Sequence, residues 1–238
     1  MATNLLSNIH RGLSQPYTDT QLIGGDYFYY HYGCDGVHDQ VIFNSEIFLL
    51  HAHASSVDVQ GWGCGYRSLQ TIASYIVHNK KSLVSSIIPT IRHIQQTLVD
   101  MNDKPSTFVD SKEWIGSFEI CLCLEELYGI YSKIIHVNDG NDLEKNVAMI
   151  HDHFIQVGTP IMMGGNIDSA AKTIIGISTD SKDVKNSKLL VVDPHFNGKA
   201  EIEILQREGW VSWRSIDSFV FESFYNFCLP QCKLVANK

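Results

Sequence analysis

Cys64 stands in the stretch Gly61-Trp62-Gly63-Cys64-Gly65-Tyr66-Arg67, with glycines at alternate positions around it. The chemistry open to a cysteine in that setting is nucleophilic. Leu69, Ile72, Ala73 and Ile76 follow at i, i+3, i+4 and i+7, the apolar stripe of a helix, so Cys64 is expected in the first turn. Free N–H groups and the positive end of the helix dipole favour a thiolate there and lower its pKa. The glycines carry no Cβ, so an extended peptide can approach the backbone closely. Taken alone, a small buried cysteine after a loop is the commoner meaning. What separates the two meanings is a matching base elsewhere in the chain.

Asp193-Pro194-His195 supplies one. It follows Leu189-Leu190-Val191-Val192, a run that reads as a buried strand. On extended backbone Asp193 and His195, two apart, face the same side, and Pro194 suits a strand end because it has no N–H to pair. His195 can take the thiol proton and hold the thiolate as an ion pair. Asp193 can fix the tautomer of the imidazole and stabilise imidazolium. By itself the triplet is more simply a capped turn with a solvated histidine. Beside the Cys64 loop, a Cys-His-Asp set is the better reading.

The elements that must position these groups follow in order. Residues 26–32 (Asp-Tyr-Phe-Tyr-Tyr-His-Tyr) read as an aromatic strand, stopped by the turn signal Gly33-Cys34-Asp35-Gly36. One tyrosine hydroxyl of that strand can serve as a neutral donor in a site. Residues 36–61 fit a hairpin, a short helix or a flap. After the Cys64 helix, residues 85–100 read as a helix with Pro89 in its first turn. A third helix is capped by Ser117 and ended by Gly129, with Cys121 and Cys123 inside it as structural residues. Residues 130–137 are expected to form a strand, and 142–157 a helix with Asp142 as N-cap and Gly158 just past its end. Residues 160–164, 172–179, 188–193 and 200–204 then read as short strands. Helices first and an antiparallel sheet afterwards predict an α+β fold in a single domain.

Composition excludes other classes. A net charge of −8 without a run of Lys and Arg argues against nucleic acid. No apolar run is long enough to span a bilayer, and the first residues lack the apolar core of a signal peptide. A soluble, cytoplasmic protein is expected. Its six cysteines include no C-x-x-C pair, and the His151/His153 spacing does not share a helix face, so neither a metal nor another cofactor is expected. Disulfides are not expected either.

Together, the Cys64 loop and Asp193-Pro194-His195 closely resemble the proteases specific for ubiquitin-fold modifier 1. His31-Tyr32-Gly33-Cys34-Asp35-Gly36, Glu113-Trp114-Ile115-Gly116, Thr159-Pro160-Ile161-Met162-Met163-Gly164-Gly165 and Ser223-Phe224-Tyr225-Asn226-Phe227 add to the likeness in the same order. The resemblance spans about residues 26–229 and the length looks like the short form. It implies a papain-like fold and cleavage after the modifier's C-terminal glycine, both in its precursor and in its conjugates. It further implies Cys64 as nucleophile, Asp193 and His195 as the supporting pair, and Tyr32 as oxyanion donor beside the Cys64 N–H. Trp62, Gly63 and Trp114 are expected to hold substrate. An insertion at about residues 41–57 departs from the family pattern. The partners implied are the modifier, its conjugates and an adaptor protein. Competing readings are an inactive modifier-binding adaptor and an autophagy-type protease.

Overall fold

The computed structural model describes residues 5–34, 42–43, 46–47, 58–79, 87–139, 142–167, 170–219 and 222–232. Strands β1 (Leu6–Ser7), β2 (Asp19–Leu22) and β3 (Phe28–Tyr29) come first, then β4 (Ile42–Phe43) and β5 (Glu46–Ile47). Helices α1 (Cys64–Asn79), α2 (Ile91–Asp100) and α3 (Ser117–Tyr128) follow, then β6 (Ser132–Val137) and α4 (Leu143–Gln156). The chain continues through β7 (Ile161–Gly165), β8 (Ala171–Thr179), β9 (Lys188–Val192), α5 (Ile202–Arg207), β10 (Val211–Ser215) and β11 (Tyr225–Pro230). This is the expected α+β arrangement, helices packed on an antiparallel sheet.

The main sheet has seven strands in the order β10-β9-β8-β7-β11-β6, with β2 added against the far half of β8. β8 pairs with β7 over Ala171–Ile174 and with β2 over Gly176–Thr179 on the same edge. A register shift between Ile174 and Gly176 marks the changeover. Glycine suits position 176, since a Cβ would stand 2.9 Å from the Gln21 carbonyl oxygen of the paired strand. β8 is buried along nearly its whole length and β9 from Leu189 onward, as central strands covered on both faces must be.

α1 is buried on every side from Cys64 to Val77, which its apolar stripe alone does not predict. Three of its polar residues bond neighbouring backbone, as buried polar groups favour. Thr71 Oγ1 accepts from Tyr30 N at 3.1 Å, Ser74 Oγ accepts from Phe28 N at 2.9 Å, and Gln70 Nε2 donates to Pro89 O at 2.9 Å. The polar face of α1 thus holds the aromatic segment 27–32 in place. That segment is only briefly a strand, pairing through β3 with β1 and not with the main sheet.

Several expected boundaries shift. Thr90 caps α2, accepting from His93 N at 3.1 Å, so Pro89 lies outside the helix. Gly116 precedes α3, and Glu119 accepts from its N–H at 2.9 Å, while Ser117 turns its hydroxyl to Asn226 O at 2.9 Å. Gly129 ends α3 at φ +66°, as expected. Residues 200–204 do not form a strand: Ile202 opens α5. Five residues of apolar–acidic alternation suit about one turn and a half of helix as well as a strand, and burial of Leu205 decides for the helix. β4 and β5 form a two-stranded ladder, one of the forms expected for that segment; the rest of residues 41–57 lies outside the described residues, as do Asp35 and Gly36. No described helix is long and apolar enough to cross a membrane.

Candidate active site

A tight turn delivers Cys64 to the start of α1. Val59 O accepts from Gly63 N at 2.8 Å and from Trp62 N at 3.3 Å, and Gly61 adopts the left-handed φ of +81° that favours glycine. The indole of Trp62 donates to Asp58 O at 2.9 Å and packs edge-on against Tyr66, which makes Trp62 a buried peg for the turn. Gly65 is held to glycine by contact: a Cβ would stand 2.4 Å from Ile115 O. The segment carrying Trp114 and Ile115 is thereby brought against the first turn of α1.

Asp193 and His195 lie in a turn and not on extended backbone. Asp193 Oδ1 accepts from the His195 backbone N–H at 3.1 Å, the local closure that aspartate favours in turns, and also meets His195 Nδ1 at 2.5 Å. The imidazole is therefore oriented with Nδ1 toward the carboxylate and Nε2 outward. Asp193 Oδ2 accepts from Arg214 Nη2 at 3.2 Å. Three ties to its backbone join this turn to the aromatic segment: Tyr29 hydroxyl donates to Asp193 O at 2.5 Å, Tyr32 N to Pro194 O at 2.8 Å, and Gly33 N to Phe196 O at 3.1 Å. The Tyr32 ring stands edge-on to the His195 ring, centroids 5.0 Å apart.

These groups converge on one sulfur. Cys64 Sγ is 3.4 Å from the N–H of Ala171, at the start of β8. Burial by itself would raise the Cys64 thiol, but hydrogen bonding and charge from His195, together with the Ala171 N–H, outweigh it and leave the pKa below the ordinary thiol value. Burial pulls the other way on His195, and hydrogen bonds and charge from Asp193 and Cys64 overcome it, raising the imidazolium pKa to about 9. A thiol lowered beside an imidazolium that holds its proton up to about pH 9 favours the thiolate–imidazolium ion pair. Tyr32 stays a neutral donor, because burial and then the Cys64 charge push its ionisation up. Its hydroxyl is buried near the Cys64 thiol and amide, yet meets no protein partner at hydrogen-bond geometry. A buried donor without a ground-state partner, beside a nucleophile's own N–H, is suited to an oxygen that becomes charged only during reaction.

The pH dependence follows from these shifts. A reaction that uses this pair should gain rate as Cys64 ionises, at a pH below the ordinary thiol range, and lose it as His195 gives up its proton near pH 9. Since His195 is raised on folding, its contribution to stability is complete below about pH 6.5 and fades as pH climbs through about 9. A profile of kcat/KM against pH checks the bell; a rate still climbing well past its alkaline limb would deny the imidazolium its part.

A cavity of about 220 Å³ opens on Cys64. One wall is the segment from Trp114 to Ser117; the other comes from Met162, Gly164 and Gly165 of β7 with Ala170 and Ala171, and Phe224 and Asn226 close the end. Trp114 is 49% exposed at its edge, so it lines the cavity and is no core anchor. Trp62 and Gly63 are buried and, among the described residues, do not line it. Ala171, Arg214, Gly165 and Phe224 were not singled out from sequence as members of the site. Gly164-Gly165 and Phe224 lay inside recognisable motifs, but Ala171 acts through its backbone and Arg214 across strands, and neither leaves a local signal.

The sequence model of peptidase family C78 matches residues 40–228. Ufm1-specific protease 2 of Mus musculus is 38% identical over 229 residues, which are 95% of this chain and 44% of that protein. The Homo sapiens protein of the same name gives the same figures. Probable Ufm1-specific protease 2 of Drosophila melanogaster is 38% identical over 88% of this chain and 30% of its own. The crystal structure of UfSP from C. elegans matches with a TM-score of 0.77 at 31% identity, over 99% of this chain and 39% of the other. The chain thus spans less than half the length of these relatives.

Proposed function

Because this chain belongs to peptidase family C78, we propose that it is a thiol protease that cleaves after the C-terminal glycine of ubiquitin-fold modifier 1, the substrate named for its relatives. The observation that carries this reading is the cavity. Gly116, Ser117, Gly164, Gly165, Ala170 and Ala171 line it beside the larger Trp114, Ile115, Met162, Phe224 and Asn226, so backbone lies close to an extended chain that enters. A modifier tail of small residues fits that shape.

The reaction follows from the groups around Cys64. The thiolate attacks the carbonyl carbon of the terminal glycine, and its oxygen takes up the negative charge beside the Cys64 N–H and the Tyr32 hydroxyl. The C–N bond breaks as His195 Nε2 gives its proton to the departing amine, leaving a thioester on Cys64. Water then loses a proton to His195 and attacks the thioester, freeing the modifier's carboxyl and restoring the thiol. Asp193 holds the ring throughout with Nδ1 engaged. The same steps serve a peptide bond in a precursor and an isopeptide bond to a lysine. We read the chain as one peptidase domain working on a folded modifier without a metal or other cofactor.

The test is a modifier precursor extended beyond its terminal glycine, followed by intact mass. One product ending at that glycine is expected. No cleavage from a protein whose Cys64 still alkylates as a thiolate would sink the reading in favour of a binding adaptor, and equal cleavage of an autophagy-type modifier would sink the specificity. Trp114→Ala should raise KM about tenfold with melting temperature nearly unchanged, because the indole lies at the cavity rim and supports little of the core. A large loss of stability would instead assign Trp114 to packing.

A further inference from the structure

Arg214 makes a contact that the triad chemistry does not explain. It sits on β10, and its side chain leans back along the strand to the turn at Gly209, whose carbonyl accepts from Arg214 Nη2 at 3.4 Å and from Ser212 Oγ at 3.0 Å. The same Nη2 donates to Asp193 Oδ2 at 3.2 Å. Asp193 is only 7% exposed, and its other oxygen is already engaged by the His195 ring and backbone N–H. The carboxylate is therefore held at both oxygens, by His195 at Oδ1 and by a guanidinium at Oδ2.

We propose that Arg214 is a positioning residue of this site: it clamps the Asp193 carboxylate in the orientation that presents Oδ1 to His195 Nδ1. The proposal rests on the thiol-peptidase reading of the site. Two physical effects support it. A carboxylate bonded at one oxygen can swing about its last torsion, which is soft, and carry the imidazole with it; a second anchor removes that freedom. The charges also need balance. Cys64 thiolate, His195 imidazolium and Asp193 carboxylate sum to one negative charge in a mostly buried place, and such a charge is costly without a cation. Arg214 supplies one in contact, and the charge of buried Lys172 on β8 adds a second attraction to Asp193. The groups that face Asp193 are thus His195 of its own turn, Arg214 of β10, Lys172 of β8 and the Tyr29 hydroxyl on its carbonyl, with Cys64 and Tyr32 beyond the imidazole.

The role is tested without any protein substrate by the rate at which iodoacetamide alkylates Cys64 as a function of pH, read on the Cys64 peptide by mass spectrometry. Arg214→Gln should move the pH at which Cys64 becomes reactive up toward the ordinary thiol range, since a loosened carboxylate holds imidazolium less well. On the modifier precursor it should lower kcat about tenfold and leave KM within about twofold. Asp193→Asn should move both readouts the same way, and Arg214→Gln added to it should change little more, because Arg214 acts through Asp193. Arg214→Lys keeps the cation but not the fork and should fall between wild type and Arg214→Gln; it carries the same two readouts if Arg214→Gln does not fold. An unmoved alkylation profile, or losses that multiply independently in the double variant, would overturn the proposal. If the precursor is not cleaved by any form, the substrate reading fails, and the alkylation profile still decides the role of Arg214.

Discussion

Cys64→Ser is expected to bring hydrolysis down by about 10⁴-fold or more while leaving the fold in place. Cys64 is 3% exposed at the head of a fully buried helix, and serine nearly keeps its volume, so packing against the turn and β8 is retained. What is lost is the anion. The groups that lower the Cys64 thiol cannot bring a hydroxyl near neutrality, and the introduced serine oxygen would need full deprotonation by His195 during attack. His195→Ala should be about as damaging, since without imidazolium the thiolate loses the largest opposing influence on its burial. The double variant should be no worse than either single one, as groups that act as a unit are not additive. Single-turnover cleavage of the precursor checks all three. Residual activity of Cys64→Ser within about tenfold of wild type would remove Cys64 as the nucleophile.

Tyr32→Phe should lower kcat about 10²-fold and barely move KM. The hydroxyl meets no partner in the resting site, so its removal leaves no acceptor unsatisfied, and the ring's contact with His195 is kept. The melting temperature should hold or rise slightly, because a buried unpaired hydroxyl is itself a cost. That combination separates a donor used only in the transition state from a packing residue. A rate loss matched by an equal loss of stability, or no rate loss at all, would assign Tyr32 to packing.

How far the sequence reveals such a site depends on how local its causes are. Cys64 was legible because its turn and its helix are written in neighbouring residues. Asp193 and His195 were legible as a pair, but for a different geometry: their closeness comes from a side-chain-to-backbone turn and not from strand alternation. For Trp62 the sequence carries no mark of which way the indole packs, and its bond to the Asp58 carbonyl decides that. Burial of α1 on every side leaves no local signal, since the apolar stripe marks one face only and Thr71 and Ser74 are covered by the segment at Phe28 and Tyr30. Arg214 and Ala171 reach the site through strand pairing over long sequence separations, which only the assembled sheet determines.

The ties between the aromatic segment and the Asp193 turn have a bearing on how this chain can change in length. Tyr29, Tyr32 and Gly33 are fastened to residues 193–196, and Cys34 O is fastened to Arg67 Nη2 at 3.0 Å. On the other side, the turn at Asp58 and Val59 is closed by its own bonds to Trp62 and Gly63. Each end of the stretch from residue 35 to residue 57 is thus anchored independently of the stretch itself, and loop length adds only slowly to the entropic cost of closure. The spacing of the proposed oxyanion donor and nucleophile is therefore set by bonds outside that interval, and a change in the number of residues joining Cys34 to Asp58 should leave it in place.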